Sequence, residues 1–127
     1  MEGYLVGAYE GNEYRVYLSD DKLTVSFEEP ETGSQKFTVV NLADGTVKIK
    51  LSDESRHIMD PGIENKALFV LGGDNEAYFK LTEDSNSPGW YRVREEKSNY
   101  YWKINGNEFI YADSSSDDAT LFTLRSS

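Results

Sequence analysis

Three segments of this chain can be laid over one another, and that self-similarity constrains its fold more than any other feature. Gly3 opens GYLVGAY, Gly45 opens GTVKIKL and Gly89 opens GWYRVRE, at separations of 42 and 44 residues. Phe37 in QKFTVV, Phe79 in AYFKLT and Phe122 in TLFTLR close the units, 42 and 43 residues apart. Between these landmarks each copy holds a hairpin: EYRVYL to KLTVSF across SDD, RHIM to KALFVL across DPGIEN, and YYWKI to EFIYA across NGN. Val16, Ile58 and Trp102 fall at equivalent places, as do Leu23, Leu68 and Ile110. The spacing divides the chain into repeats at about 1–43, 44–86 and 87–127 within one domain.

Each copy reads as four short strands. Apolar and polar residues alternate in EYRVYL, KLTVSF, TVKIKL, YRVR and FIYA, which is the period of a half-buried strand. No stretch sustains helical spacing, and turn signals such as EGN, ADG, DPG, GGDN, NSPG and NGN recur along the chain. Asn105-Gly106 suits the two positive φ angles of a type I′ hairpin. Four short strands cannot bury an apolar face alone. Three such units around an axis can, with six strands closing a barrel and three hairpins capping one end, and closure removes exposed sheet edges. The expectation is an all-β fold of twelve strands.

Composition narrows the function. The formal net charge is −10 with an isoelectric point near 4.5, so a phosphate backbone or an anionic membrane surface would be repelled. No window approaches the ~20 apolar residues of a spanning helix, so membrane insertion is not expected. There is no cysteine, which excludes disulfides, thiolate zinc sites and cysteine nucleophiles and leans toward a reducing compartment. MEGYLVGAYEGNEYR lacks the basic start and apolar run of a signal peptide, so a cytoplasmic location is the expectation. A monomer or weak homodimer is expected.

The arrangement resembles the β-trefoil proteins, and among them the ricin-B-like lectins. Gln35-Lys36-Phe37 looks like a decayed Q-x-W triplet, of which Ala77-Tyr78-Phe79 and Thr120-Leu121-Phe122 keep only the aromatic. Asp44-Gly45-Thr46-Val47-Lys48-Ile49, followed by Arg56-His57-Ile58-Met59-Asp60, looks like the lectins' G-x-I … C-L-D segment without its cysteine. Mushroom proteins of this size include both cytoplasmic lectins and protease inhibitors. The resemblance implies a β-trefoil and places Asp60 at the lectins' sugar-binding aspartate. Fatty-acid-binding barrels share the length, but carry a helix-turn-helix where this chain has a hairpin.

Catalytic constellations are thin. His57 is the single histidine, and no G-x-S-x-G elbow is present. The acidic pairs Glu28-Glu29, Glu95-Glu96 and Asp117-Asp118 lie in polar runs, where solvation works against the raised pKa that glycosidase chemistry needs. Asp113 to Asp118 offers oxygens but not the spacing of a calcium loop. No enzyme, cofactor or metal is expected.

The third repeat is the most suggestive. Strand alternation turns Tyr91, Val93, Tyr100, Trp102 and Ile104 inward, and Trp90, Arg92, Tyr101 and Lys103 outward. Trp90 stands where the other repeats have Tyr4 and Thr46. An aromatic face suits the C–H face of a sugar, and Arg, Lys, Asn and Asp satisfy its hydroxyls. The expected partner is a glycan, stacked on Trp90 and Tyr101 and hydrogen-bonded by Arg92, Lys103 and Asn107, with Asp60 as a further candidate. Two alternatives stay open: a protease inhibitor acting through the 28–35 loop or Asp60-Pro61-Gly62, and an intracellular interaction module.

Overall fold

The computed structural model describes residues 1–19, 22–26, 35–53, 57–59, 69–71, 77–105, 109–113 and 119–126. These form twelve strands: β1 (Glu2–Tyr9), β2 (Asn12–Ser19), β3 (Lys22–Ser26), β4 (Lys36–Asn41), β5 (Val47–Leu51), β6 (His57–Met59), β7 (Phe69–Leu71), β8 (Phe79–Asp84), β9 (Ser87–Glu95), β10 (Tyr101–Asn105), β11 (Phe109–Asp113) and β12 (Leu121–Arg125). Alternation produces them as expected. In β5, Val47, Ile49 and Leu51 are buried while Lys48 and Lys50 are half-exposed. The β1–β2 turn places Glu10 and Gly11 at φ +49° and +79°, the signature of a two-residue type I′ hairpin.

Six strands close on themselves. β1 pairs with β4, β4 with β5, β5 with β8, β8 with β9, β9 with β12, and β12 returns to β1, every pair antiparallel. The hairpins β2–β3, β6–β7 and β10–β11 branch from β1, β5 and β9, and β3 joins them by pairing with both β7 and β11. The result is a closed barrel whose edges are used up in its own pairing, with hairpins at one end.

Aromatic side chains fill the junction of barrel and hairpins. Phe37, Phe79, Phe122 and Trp102 are fully buried or nearly so, beside Leu23 and Ile58. The Trp102 indole stands edge-on to Phe79 at 5.2 Å and to Phe122 at 5.5 Å between centroids, a favourable aromatic geometry. Two expected inward residues are only half-buried. Tyr91 lines the barrel interior with Leu5, Ile49 and Val93 without being enclosed by it. Tyr100 is half-buried because it precedes β10, where strand alternation does not set its face.

Two of the hairpins are tied to the barrel through the side chain two positions before the closing aromatic. Gln35 Oε1 accepts the Leu18 N–H at 2.7 Å, and Thr120 Oγ1 accepts the Ile104 N–H at 3.0 Å. A threonine thus does in one place what a glutamine does in another. Thr120 and Ile104 are both buried, so losing this acceptor strands an N–H away from water. Thr120→Val, nearly the same shape, is expected to cost about 1–3 kcal/mol in urea unfolding, by the desolvation penalty of one buried donor.

Candidate functional site

The position of Trp90 is set by a bulge. In the β8–β9 hairpin the register runs evenly to Glu83 opposite Tyr91, then shifts so that Asp84 meets Ser87. The extra residues fall at 88–90, and Gly89 sits at φ +85°, where a side chain would be strained. Gly89 is pinned from two sides: its N–H donates to Glu83 Oε2 at 2.8 Å, and its carbonyl accepts the Thr123 hydroxyl at 2.7 Å. The bulge therefore aims the next residue, Trp90, in a fixed direction.

Trp90 is half-buried and does not present a bare ring. The Arg125 guanidinium lies over it, 5.6 Å from the ring centroid, within cation–π range. Arg125 is in turn held by a two-point ion pair with Glu13, one of whose contacts measures 2.7 Å. Both members stay open to solvent, with side chains 43% and 49% exposed. Tyr4 lies directly across from Arg125 in the β1–β12 ladder, so the two share a face. The Arg15 guanidinium sits 4.5 Å above the Tyr4 ring and the Lys36 ammonium 5.7 Å from it. The outer wall formed by β9, β12, β1, β2 and β4 thus brings together the Trp90 and Tyr4 rings, the cations Arg125, Arg15 and Lys36, and the Glu13 carboxylate.

Along β9 the same outward face continues through Arg92 and Arg94. Arg92 donates to Asp84 at 2.9 Å, and that guanidinium holds the Asp84 carboxyl below the usual aspartate range. Arg94 reaches the Asn99 carboxamide and, at 3.4 Å, the Glu96 carboxylate. Tyr101 pairs with Arg94 across β9–β10 and is half-buried. Four residues of extended strand separate Trp90 from Arg94, about 13 Å at the usual rise. Trp90 and Tyr101 therefore stand toward the two ends of one stripe, too far apart to face the same monosaccharide ring. Lys103 lies two residues further along β10, opposite Tyr111. Asn107 and Asp60 lie outside the described residues, as do positions 28–34 of the proposed inhibitory loop and Asp60-Pro61-Gly62.

Three contributors escape sequence reading: Arg125, Glu13 and Tyr4. Arg125 and Glu13 are separated by 112 positions in the chain, so no local pattern links them. The one available signal was Tyr4, an outward aromatic at the place equivalent to Trp90. Among the described residues no group of three or more metal-ligating side chains comes together.

The Arg125 hydrogen bond keeps the Glu13 carboxyl below the usual glutamate range, and Glu13 in turn raises Arg125 further. A lowered carboxylate contributes stability above the unfolded value, near ~4.3, and loses it as pH falls through the lower folded value. For so exposed a pair the contribution is about 0.2–1 kcal/mol. The stability difference between wild type and Glu13→Gln, read by urea unfolding, is expected to be present at pH 7 and to vanish toward pH 3.

No family model and no curated protein matches this sequence. Solved structures do. SeviL bound to asialo-GM1 saccharide superposes with a TM-score of 0.76 at 15% identity, over 99% of this chain and 97% of that one. The designed three-fold symmetric protein ThreeFoil gives 0.72 at 16% identity, over 94% and 95%. A BEL beta-trefoil gives 0.68 at 16% identity, over 98% and 92%. The chain folds as a β-trefoil. Within this trefoil the stripe from Trp90 to Tyr101 runs along the outer face of the barrel strand β9 and onto the adjoining hairpin strand β10, away from the core.

Proposed function

We propose that this β-trefoil is a non-enzymatic, lectin-like carbohydrate-binding protein whose site is the outer face of β9 and its neighbours. One observation carries the reading: the Trp90 ring, aimed by the Gly89 bulge, adjoins the solvent-open Arg125–Glu13 pair. That group combines an apolar aromatic surface with a fixed donor and a fixed acceptor, the three elements that recognise a sugar's C–H face and its hydroxyls. Arg92, Tyr101 and Lys103 extend the site along the stripe, and its length suits an oligosaccharide of several units better than a monosaccharide. Asn107 and Asp60 remain candidate contributors. A structural neighbour, SeviL, is described bound to a saccharide, which agrees with the reading at the level of fold.

A glycan array tests it. The expected result is a restricted set of oligosaccharide signals at the micromolar protein concentrations that weak lectins need. A blank array under those conditions, with the protein shown to be folded, overturns the proposal.

A further inference from the structure

Charge is unevenly placed on this molecule. The chain holds 23 acidic and 13 basic residues. Yet β4, β5 and β12 carry Lys36, Lys48, Lys50 and Arg125, and no Asp or Glu at all. With β1 these strands are neighbours in the barrel, in the order β12, β1, β4, β5. Strand alternation is the cause. Val47, Ile49 and Leu51 turn inward, so Lys48 and Lys50 face out, and Lys36 faces out beside buried Phe37. This part of the wall is a basic panel on an acidic protein.

Tyr4 is the centre of the panel. Arg125 stands opposite it on β12 and Lys36 opposite it on β4, a row about 10 Å across at the usual strand spacing. Arg15 and Lys36 are both held against its ring. A ring that gathers two cations concentrates positive potential at one place. The carboxylates near the row are Glu13, already paired with Arg125, and exposed Glu2, two residues from Tyr4 along β1. Lys36 is exposed, and among the described residues no carboxylate pairs with it. Salt limits the reach of an exposed charge to about 8 Å under physiological conditions. A ligand on this row therefore responds to these groups more than to the net charge of −10.

We infer that the saccharide taken by the outer face is an acidic one, whose carboxylate or sulfate group lies at the Tyr4 row. The anion accepts a hydrogen bond from the Lys36 ammonium and lies beside the Arg15 guanidinium. The neutral part of the oligosaccharide extends across Arg125 toward Trp90. This rests on the reading of that face as a saccharide site, and adds to it the chemical class of the ligand.

The test is a glycan array on which every sialylated and every sulfated oligosaccharide is printed beside its neutral parent. The charged member of a pair is expected to bind at least about tenfold better than its parent, the difference that one charge-assisted hydrogen bond supplies. The sialylated and sulfated pairs tell which anion is preferred, and the preference shrinks as salt is raised. Lys36→Gln, a change at an exposed position, lowers the charged-to-neutral ratio at least about threefold, and Lys36→Glu brings it to about one or below. Neutral hits, or pairs whose two members bind alike, overturn the inference and leave the lectin reading standing. A blank array with folded protein overturns the lectin reading, and this inference falls with it. The inference also fails if Lys36→Gln keeps the full preference. It fails equally if a single-stranded oligonucleotide competes as well as the charged glycan, because charge alone would then select the ligand.

Discussion

Trp102→Ala is expected to lower the unfolding free energy by about 3–5 kcal/mol, the range for removing a large aromatic from a packed core. Trp102 has no solvent exposure, and it meets Phe79 and Phe122 edge-on where the hairpins join the barrel. Truncation removes both ring contacts and leaves a cavity where the indole packed. A domain of this size has about 5–15 kcal/mol in total, so the variant would sit near its unfolding threshold at room temperature. Trp102→Phe keeps a ring and removes a buried N–H without an acceptor, so its loss should be much smaller. Urea unfolding with both variants checks the pair. Equal losses would mean that the polar atom and the ring volume matter alike, against this description of the core.

Trp90→Ala is expected to leave stability nearly unchanged and to weaken saccharide binding by about thirtyfold, the equivalent of about 2 kcal/mol for a central aromatic contact. Trp90 is outside the core cluster, and Arg125 keeps its Glu13 partner when the indole is removed. A companion, Gly89→Ala, tests the aiming device and not the ring. The strained φ of Gly89 would be relieved only by moving the bulge, so Trp90 would remain present but misdirected. Calorimetric titration with an array-positive oligosaccharide reads both. Weak binding in Gly89→Ala with an intact thermal transition would locate the effect in geometry.

The fold was legible in the sequence because alternation and turn chemistry are local. EYRVYL and TVKIKL show their faces without help from the rest of the chain, and Phe37, Phe79 and Phe122 are as buried as their place after each hairpin implies. Closure also followed, since twelve short strands need a way to use their edges. The site was legible only in part. Trp90 stood out as an aromatic at an outward position. Its direction depends on a bulge at Gly89, and its cover depends on Arg125, which reaches it only because β12 lies between β1 and β9. The Glu13–Arg125 pair joins nearly opposite ends of the chain and exists only after the barrel has closed. The separation of Trp90 from Tyr101 was equally hidden, because residue types on two strands do not reveal which residues stand opposite.

Trp90 reports on the outer face of the barrel and Trp102 on the buried core, and that makes one measurement decisive for the outer site. An array-positive oligosaccharide is titrated into ¹⁵N-labelled protein, and the indole N–H signals of Trp90 and Trp102 are followed together. The account predicts a saturable shift of the Trp90 signal, with Trp102 unmoved. Saturable binding that leaves Trp90 unperturbed would contradict it and place the saccharide elsewhere on the trefoil.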